Sequence, residues 1–152
     1  MMTEMKVDAI KNGSVIDHLP PGKALEIIRY LKVAPDSPIL MGTNLCSKKY
    51  GTKDILKIEN HELTEEELST IALLAPTASL TIIRDFKVEK KSEVRLPETL
   101  KGIFRCPNPN CITNHEKVDT RFRVHSNGRV RLKCGYCEKL YGSDEVIPIR
   151  RD

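Results

Sequence analysis

The sequence predicts an α+β chain of two domains. The first is an N-terminal split βαβ domain (the ferredoxin-like βαββαβ arrangement), and the second is a small C-terminal antiparallel β domain. Three observations carry that prediction. Strand-like and helix-like apolar patterns follow one another in the order β-α-β-β-α-β through residues 1–97. Beyond them lie two close cysteine pairs, Cys106-Pro-Asn-Pro-Asn-Cys111 and Cys134-Gly-Tyr-Cys137, with 22 residues between. Charge divides the same way. Residues 1–97 carry 14 basic and 14 acidic side chains, whereas residues 98–152 carry 11 and 7, so the net +4 belongs to the second half. That asymmetry points to an anionic partner, nucleic acid or an acidic protein surface, for residues 98–152.

Met1–Glu4 reads as a loose terminus. Val7–Ile10 and Ser14–Leu19 are β-prone, with a turn at Asn12-Gly13. Pro20-Pro21-Gly22 stops the strand, and a helix is expected over Lys23–Lys32 with Ala24, Leu25, Ile28 and Leu31 on one face. Pro35 and Pro38 end it. Ile39–Cys46 and Asp54–Glu59 should pair across a basic turn at Ser47–Gly51. Thr64-Glu65-Glu66-Glu67 has the form of a capping box, with Leu63 and Leu68 placed as a hydrophobic staple. The helix it opens turns Leu68, Ile71, Ala72 and Ala75 inward and stops before Pro76. Strands are expected at Ser79–Arg84 and Phe86–Lys90, and a linker at Ser92–Lys101 around Pro97. In the second domain Arg121–Val124 and Arg129–Lys133 form a hairpin about Asn127-Gly128, and Leu140–Ile149 adds a last strand.

The cysteine spacing is that of a four-thiolate zinc site holding Cys106, Cys111, Cys134 and Cys137. Pro107, Asn108 and Pro109 suit the tight first loop, and Gly135 relaxes the second. A disulfide framework is the competing reading and requires an oxidising compartment. One Zn2+ per chain is expected. With four protein ligands it has no open position for water, so its role is structural. A domain of this size cannot rely on apolar burial alone and should fold with its metal. No stretch approaches the ~20 apolar residues of a membrane span, so no membrane partner is expected and the cytoplasm is the expected location.

Catalytic signatures are absent: the sequence shows no Walker loop, nucleophile elbow or paired carboxylates. Cys46 is the odd cysteine and reads as a buried apolar thiol rather than a nucleophile. His61, His115 and His125 are not needed to complete a tetrahedron. Asp17 and His18 at one strand end, Lys57 with Glu59 along another, and Lys91 after the last strand form a set suited to ribose hydroxyls and phosphates. The bland reading of that set is a solvated charged face. Arg121, Phe122, Arg123, Arg129, Arg131 and Lys133 would suit a nucleic-acid-binding zinc ribbon, but nucleic acid is not the expected partner.

Gly13-Ser-Val-Ile-Asp-His18, Lys53-Asp-Ile-Leu-Lys-Ile-Glu-Asn60, Ala75-Pro76, Cys106–Ile112 and Cys134-Gly-Tyr-Cys137-Glu138 resemble the regulatory chain of aspartate carbamoyltransferase over nearly the whole length. The resemblance implies a non-catalytic subunit in pyrimidine biosynthesis. Its N-terminal domain, 1–97, is nucleotide-binding and takes the effectors CTP, ATP and, in some members, UTP. Its zinc domain, 98–152, holds the catalytic chain. Regulatory dimers formed through the N-terminal domains then link catalytic trimers. By the same resemblance Val7, Ala9, Ile10 and Val15 line the base and sugar pocket. Asp17 and Lys57 meet the ribose, His18 and Lys91 the phosphates, and Phe86 and Val88 border the base, with Lys53 adding to the phosphate field. Asn110, Asn114 and Glu138 ride on the loops offered to the partner. Two positions depart from the family pattern: Thr81 stands where Asn is usual, and Phe86 where Tyr is usual.

Overall fold

In a computed structural model, which describes residues 9–48 and 51–149, the chain divides between Val94 and Arg95 into two units. Val7, and with it part of the strand expected over Val7–Ile10, lies outside the described residues, as does Met1–Glu4. Ala9 and Ile10 are not in a strand.

The first unit is a five-stranded antiparallel sheet with two helices. Its elements are β1 (Gly13–Leu19), α1 (Lys23–Ile28), β2 (Ile39–Ser47), β3 (Gly51–Glu59), α2 (Glu65–Leu74), β4 (Ser79–Arg84) and β5 (Lys87–Glu93). The sheet order β2-β3-β1-β4-β5 is the split βαβ arrangement with one strand added at the edge. Alternation along the strands sorts the residues. Ile16, Leu56, Ile58 and Leu80 enter the core with Ala24, Ile27 and Leu31 from the α1 segment and Ile71 and Ala75 from α2. The other face of the sheet carries Val15, Asp17, Lys57 and Thr81 by the same alternation.

Two helices behave differently from one another. α2 begins as expected: the Glu67 N–H donates to Thr64 Oγ1 at 3.2 Å and the Thr64 N–H to Glu67 Oε1 at 3.1 Å, a complete capping box. Leu63 and Leu68 both pack half-buried on the core. α1 is shorter than the Lys23–Lys32 expectation, and its inward residue is Ile27, while Leu25 is 54% exposed. The cause is Asp54, wholly buried on β3. Its carboxylate accepts from the N–H groups of Gly22 (2.8 Å) and Ala24 (3.2 Å), which fixes how the helix starts and how it is rotated. After Ile28 the hydrogen bonds tighten to the i→i−3 kind, Tyr30 to Ile27 and Leu31 to Ile28.

The second unit contains β6 (Thr99–Lys101), β7 (Phe104–Arg105), a 3-10 turn at Ile112–Asn114, β8 (Arg121–Asn127), β9 (Arg129–Cys134), β10 (Leu140–Gly142) and β11 (Ile147–Pro148). A four-stranded sheet runs β10-β9-β8-β6, and β11 pairs with β7. Leu100, Phe104, Phe122 and Leu132 form its buried apolar centre.

Three local expectations are corrected. The supposed linker Ser92–Lys101 is partly strand, because β5 runs to Glu93 against β4 and Thr99–Lys101 pairs with β8. Neither pairing leaves a local signal in a segment so charged. The strand expected over Leu140–Ile149 is two strands in different sheets, parted by a turn that Glu145 closes: its N–H donates to the Gly142 carbonyl and its carboxylate accepts from the Gly142 N–H. Cys46 is exposed rather than buried, since β2 is an edge strand. Among the described residues no helix is long and apolar enough to cross a membrane.

Candidate functional site

The second unit gathers its four predicted cysteines at one point. β7 delivers Cys106, the loop after it Cys111, the end of β9 Cys134 and the following turn Cys137. All four Sγ atoms lie within 4.8 Å of one another. Cys106 and Cys137 are 3.7 Å apart, and Cys111 and Cys134 3.8 Å. A disulfide needs about 2.05 Å, so these are four free thiols. A tetrahedron with metal–sulfur bonds of about 2.3 Å has an edge of about 3.8 Å. The donor set therefore fits one thiophilic ion. Among the described residues no other cluster of this kind is present, and no histidine joins it.

Each loop is braced by hydrogen bonds of its own. Asn108 closes the first: its Oδ1 accepts from the Asn110 N–H at 3.0 Å and its carbonyl from the Cys111 N–H at 3.0 Å. Asn114 ties that loop down, its Nδ2 donating to the carbonyls of Cys106 (2.9 Å) and Asn108 (2.7 Å). The Asn114 amide thus braces its own loop while the residue also lines the cleft beside the centre. In the second loop Gly135 donates to the Arg121 carbonyl at 2.7 Å. A Cβ on Gly135 would sit 3.3 Å from that oxygen, so close approach explains the glycine. The left-handed residue of this turn is instead Glu138, at φ 63°.

Two residues that sequence reasoning passed over reach the sulfurs. Thr113 Oγ1 donates to Cys111 Sγ at 3.1 Å. The Tyr141 hydroxyl stands 3.8 Å from both Cys106 and Cys137 Sγ. Burial pushes the Cys106 thiol up to about 12 and raises Cys134 as well. Burial opposes ionisation of Cys137 too, but the Lys139 N–H, the Asn108 side chain and the Tyr141 hydroxyl outweigh it and bring that thiol down to about 6. Four sulfurs this close ionise together only around a bound cation. Beside the centre is a cleft of about 380 Å³ lined by residues that include Arg105, Pro107, His115 and Ile147.

The first unit carries the other predicted set on the sheet face away from the helices. Register aligns Lys57, Val15, Thr81 and Lys91 as one row across β3, β1, β4 and β5. One step along, Asp17 opposes Ser79. The Asp17 carboxylate is already engaged, by Lys53 Nζ at 2.9 Å and by the His18 N–H at 2.6 Å. His18 has φ 58°, and its Nδ1 lies 2.9 Å from Ser79 Oγ. In the other direction Val88 opposes Ile83, which opposes Gly13. Phe86 and Val88 are 65% and 62% exposed. Phe86 sits in a turn at φ 64° with its N–H on the Lys11 carbonyl. Ala9 is exposed, whereas Ile10 is 8% exposed and joins the core.

Two family models divide the sequence in the same order. Residues 5–95 match the aspartate carbamoyltransferase regulatory chain, allosteric domain, and residues 98–147 the metal binding domain of that regulatory chain. Among similar proteins, one from Pyrococcus abyssi is 48% identical over 149 residues, covering 96% of this chain and 98% of the other. One from Thermococcus onnurineus is 46% identical over 148 residues, covering 96% and 98%. One from Aeromonas hydrophila is 46% identical over 145 residues, covering 94% of each. Each bears the name aspartate carbamoyltransferase regulatory chain.

Proposed function

The chain belongs to the family of aspartate carbamoyltransferase regulatory chains, non-catalytic subunits with an allosteric and a metal-binding domain, and we propose that it senses nucleoside triphosphates on behalf of a catalytic chain. The effectors in this reading are CTP and ATP, with UTP as a third member of the set. The observation that carries it is the row Lys57–Val15–Thr81–Lys91 with Asp17 beside it, on an open sheet face of the unit that matches the allosteric domain. A ligand lying across Val15 and Thr81 is met by a lysine from each end. Asp17 accepts ribose hydroxyls and Lys91 with His18 answers the phosphates, while Phe86, Val88, Val15 and Ala9 border the base and sugar. Because Lys53 holds Asp17, a sugar hydroxyl joins an existing pair rather than a bare carboxylate.

Control then follows from linkage. A nucleotide shifts catalysis only if it binds one quaternary state more tightly than the other. A coupling of ~1–3 kcal/mol changes affinity roughly 5–150-fold.

In the second unit Cys106, Cys111, Cys134 and Cys137 would hold Zn2+, which supplies structural cross-linking and no open coordination position. Asn108 and Asn114 set the shape of the first loop, so that Asn110 and the cleft at His115 and Ile147 face a partner. We assign the partner as the catalytic chain. Two copies of this chain pair through their N-terminal units, which ties catalytic trimers together. The nine-residue edge strand β2, with Ile39 and Leu40 40% and 39% exposed, supports that pairing. Thiols of this kind persist in the cytoplasm, where we place the chain.

Calorimetric titration of the full chain with CTP and with ATP tests the sensing role. Lys57→Ala and Lys91→Ala should each weaken nucleotide binding at least tenfold while leaving association with the catalytic chain unchanged. Failure of either nucleotide to bind the wild-type chain would remove the reading.

A further inference from the structure

The sheet of the second unit has two unlike faces. One carries Leu100, Phe122, Leu132 and Cys134, all 0–1% exposed, and is the core. The other is set by the same register. Lys101 opposes Arg121, Thr99 opposes Arg123, Arg123 opposes Lys133, His125 opposes Arg131 and Asn127 opposes Arg129. Residues directly opposed share a face, so Lys101, Arg121, Arg123, Arg129, Arg131 and Lys133 form a single field of six cations over three strands. All six are exposed. β10 adds Leu140 and Gly142 beside Lys133 and Arg131, and the carboxylate of Asp144 stands at this margin, 2.7 Å from where a Cβ on Gly142 would be. Among the described residues no ion pair involves any of the six. Like charges placed opposite one another in a sheet are destabilising. Arg123 against Lys133 and Lys101 against Arg121 are such pairs, so the face costs the isolated chain stability, and among the described residues no ion pair offsets that cost.

We propose that this basic sheet face docks a patch of aspartate and glutamate side chains on the catalytic chain. The proposal rests on the reading above that the second unit holds that chain. The face adjoins the metal centre, since β9 runs from Arg129 through Lys133 directly into Cys134. An acidic protein surface suits it better than nucleic acid does. Its one nearby aromatic, Phe122, is fully buried on the opposite side, so the face has no platform for stacking bases. Exposed charges act chiefly by steering encounter, and salt screens them.

The test is association of the full chain with the catalytic chain, followed in real time across a salt series. Arg123→Glu with Arg131→Glu reverses two cations that touch neither the core nor the cysteines. Zinc content and circular dichroism should match wild type. At low salt the association rate of the double variant should fall at least tenfold, and the gap should close toward ~1 M salt, where the Debye length is about 3 Å. If charge reversal disturbs folding, Arg123→Gln with Arg131→Gln should give a smaller loss in the same direction. Equal rates for wild type and variants at every salt concentration overturn the docking face and leave the regulatory reading standing. A wild-type chain that never associates with the catalytic chain overturns both. Preferential capture of a single-stranded RNA oligonucleotide by the wild-type face, lost in the variants, would show that the occupant was assigned wrongly.

Discussion

Asp54 and Tyr141 show what single side chains do here that the sequence does not announce. Asp54 lies inside β3 between Lys53 and Ile55, wholly buried, and its carboxylate accepts from three backbone N–H groups: Gly22 at 2.8 Å, Ala24 at 3.2 Å and Asn44 at 2.8 Å. It fixes the start of α1 and an irregular step in β2 at once. Asp54→Ala should cost roughly 2–4 kcal/mol by leaving buried donors unpaired, with Asp54→Asn intermediate; urea unfolding of the full chain reads both. Tyr141 offers one hydroxyl to two sulfurs, one from each cysteine pair. Groups that hydrogen-bond metal ligands typically change affinity 10–100-fold when lost, and at 3.8 Å the low end applies. Tyr141→Phe should therefore lose its metal to a chelator about tenfold more readily, with a shifted sulfur-to-metal absorption band when cobalt is the bound ion. Neither role could be read from composition. Asp54 looks like one charge among many, and Tyr141 follows the last cysteine by four residues without a motif.

Among the elements, those with chemical punctuation were legible and those without were not. The box at Thr64–Glu67 announces α2, and the structure holds both reciprocal bonds. Glu67 does more than cap, since its carboxylate also receives the Lys32 N–H at 3.0 Å and faces His61 Nε2 at 3.1 Å. Thr64→Ala should cost about 1 kcal/mol, and Glu67→Ala more, because a carboxylate 5% exposed holds three partners; paired melting curves decide the order. α1 has no side-chain cap of its own, and its rotation comes from Asp54 on another element. Periodicity alone therefore named Leu25 as core where Ile27 is. The same limit explains β5 and β6. Runs such as Lys87–Glu93 become strands because β4 offers an edge, not because their own residues prefer extension.

For the whole molecule the division into two units makes metal removal a partial event. The first unit has an apolar core shared by sheet and helices, whereas the second closes around four thiols. Chelation should unfold residues 98–152 while the first unit stays folded, and should release the catalytic chain; near-UV and far-UV circular dichroism with sedimentation of the holoenzyme would follow both. Acidification acts in the same direction, because protons compete for sulfurs that must be thiolates to bind the ion. Cys spacing, the capping box and the order of apolar patterns were enough to determine the α+β class and the metal-binding half, and runs such as Gly13–His18 and Lys53–Asn60 carried the resemblance to the family, since each is a local relation along the chain. The tertiary structure alone decided that Lys57 and Lys91 stand in one row, that Lys53 holds Asp17, that Cys46 is exposed, and that six cations share one sheet face. Those are matters of strand register and sheet order, which depend on segments far apart in sequence meeting in one alignment out of several that the same local preferences allow.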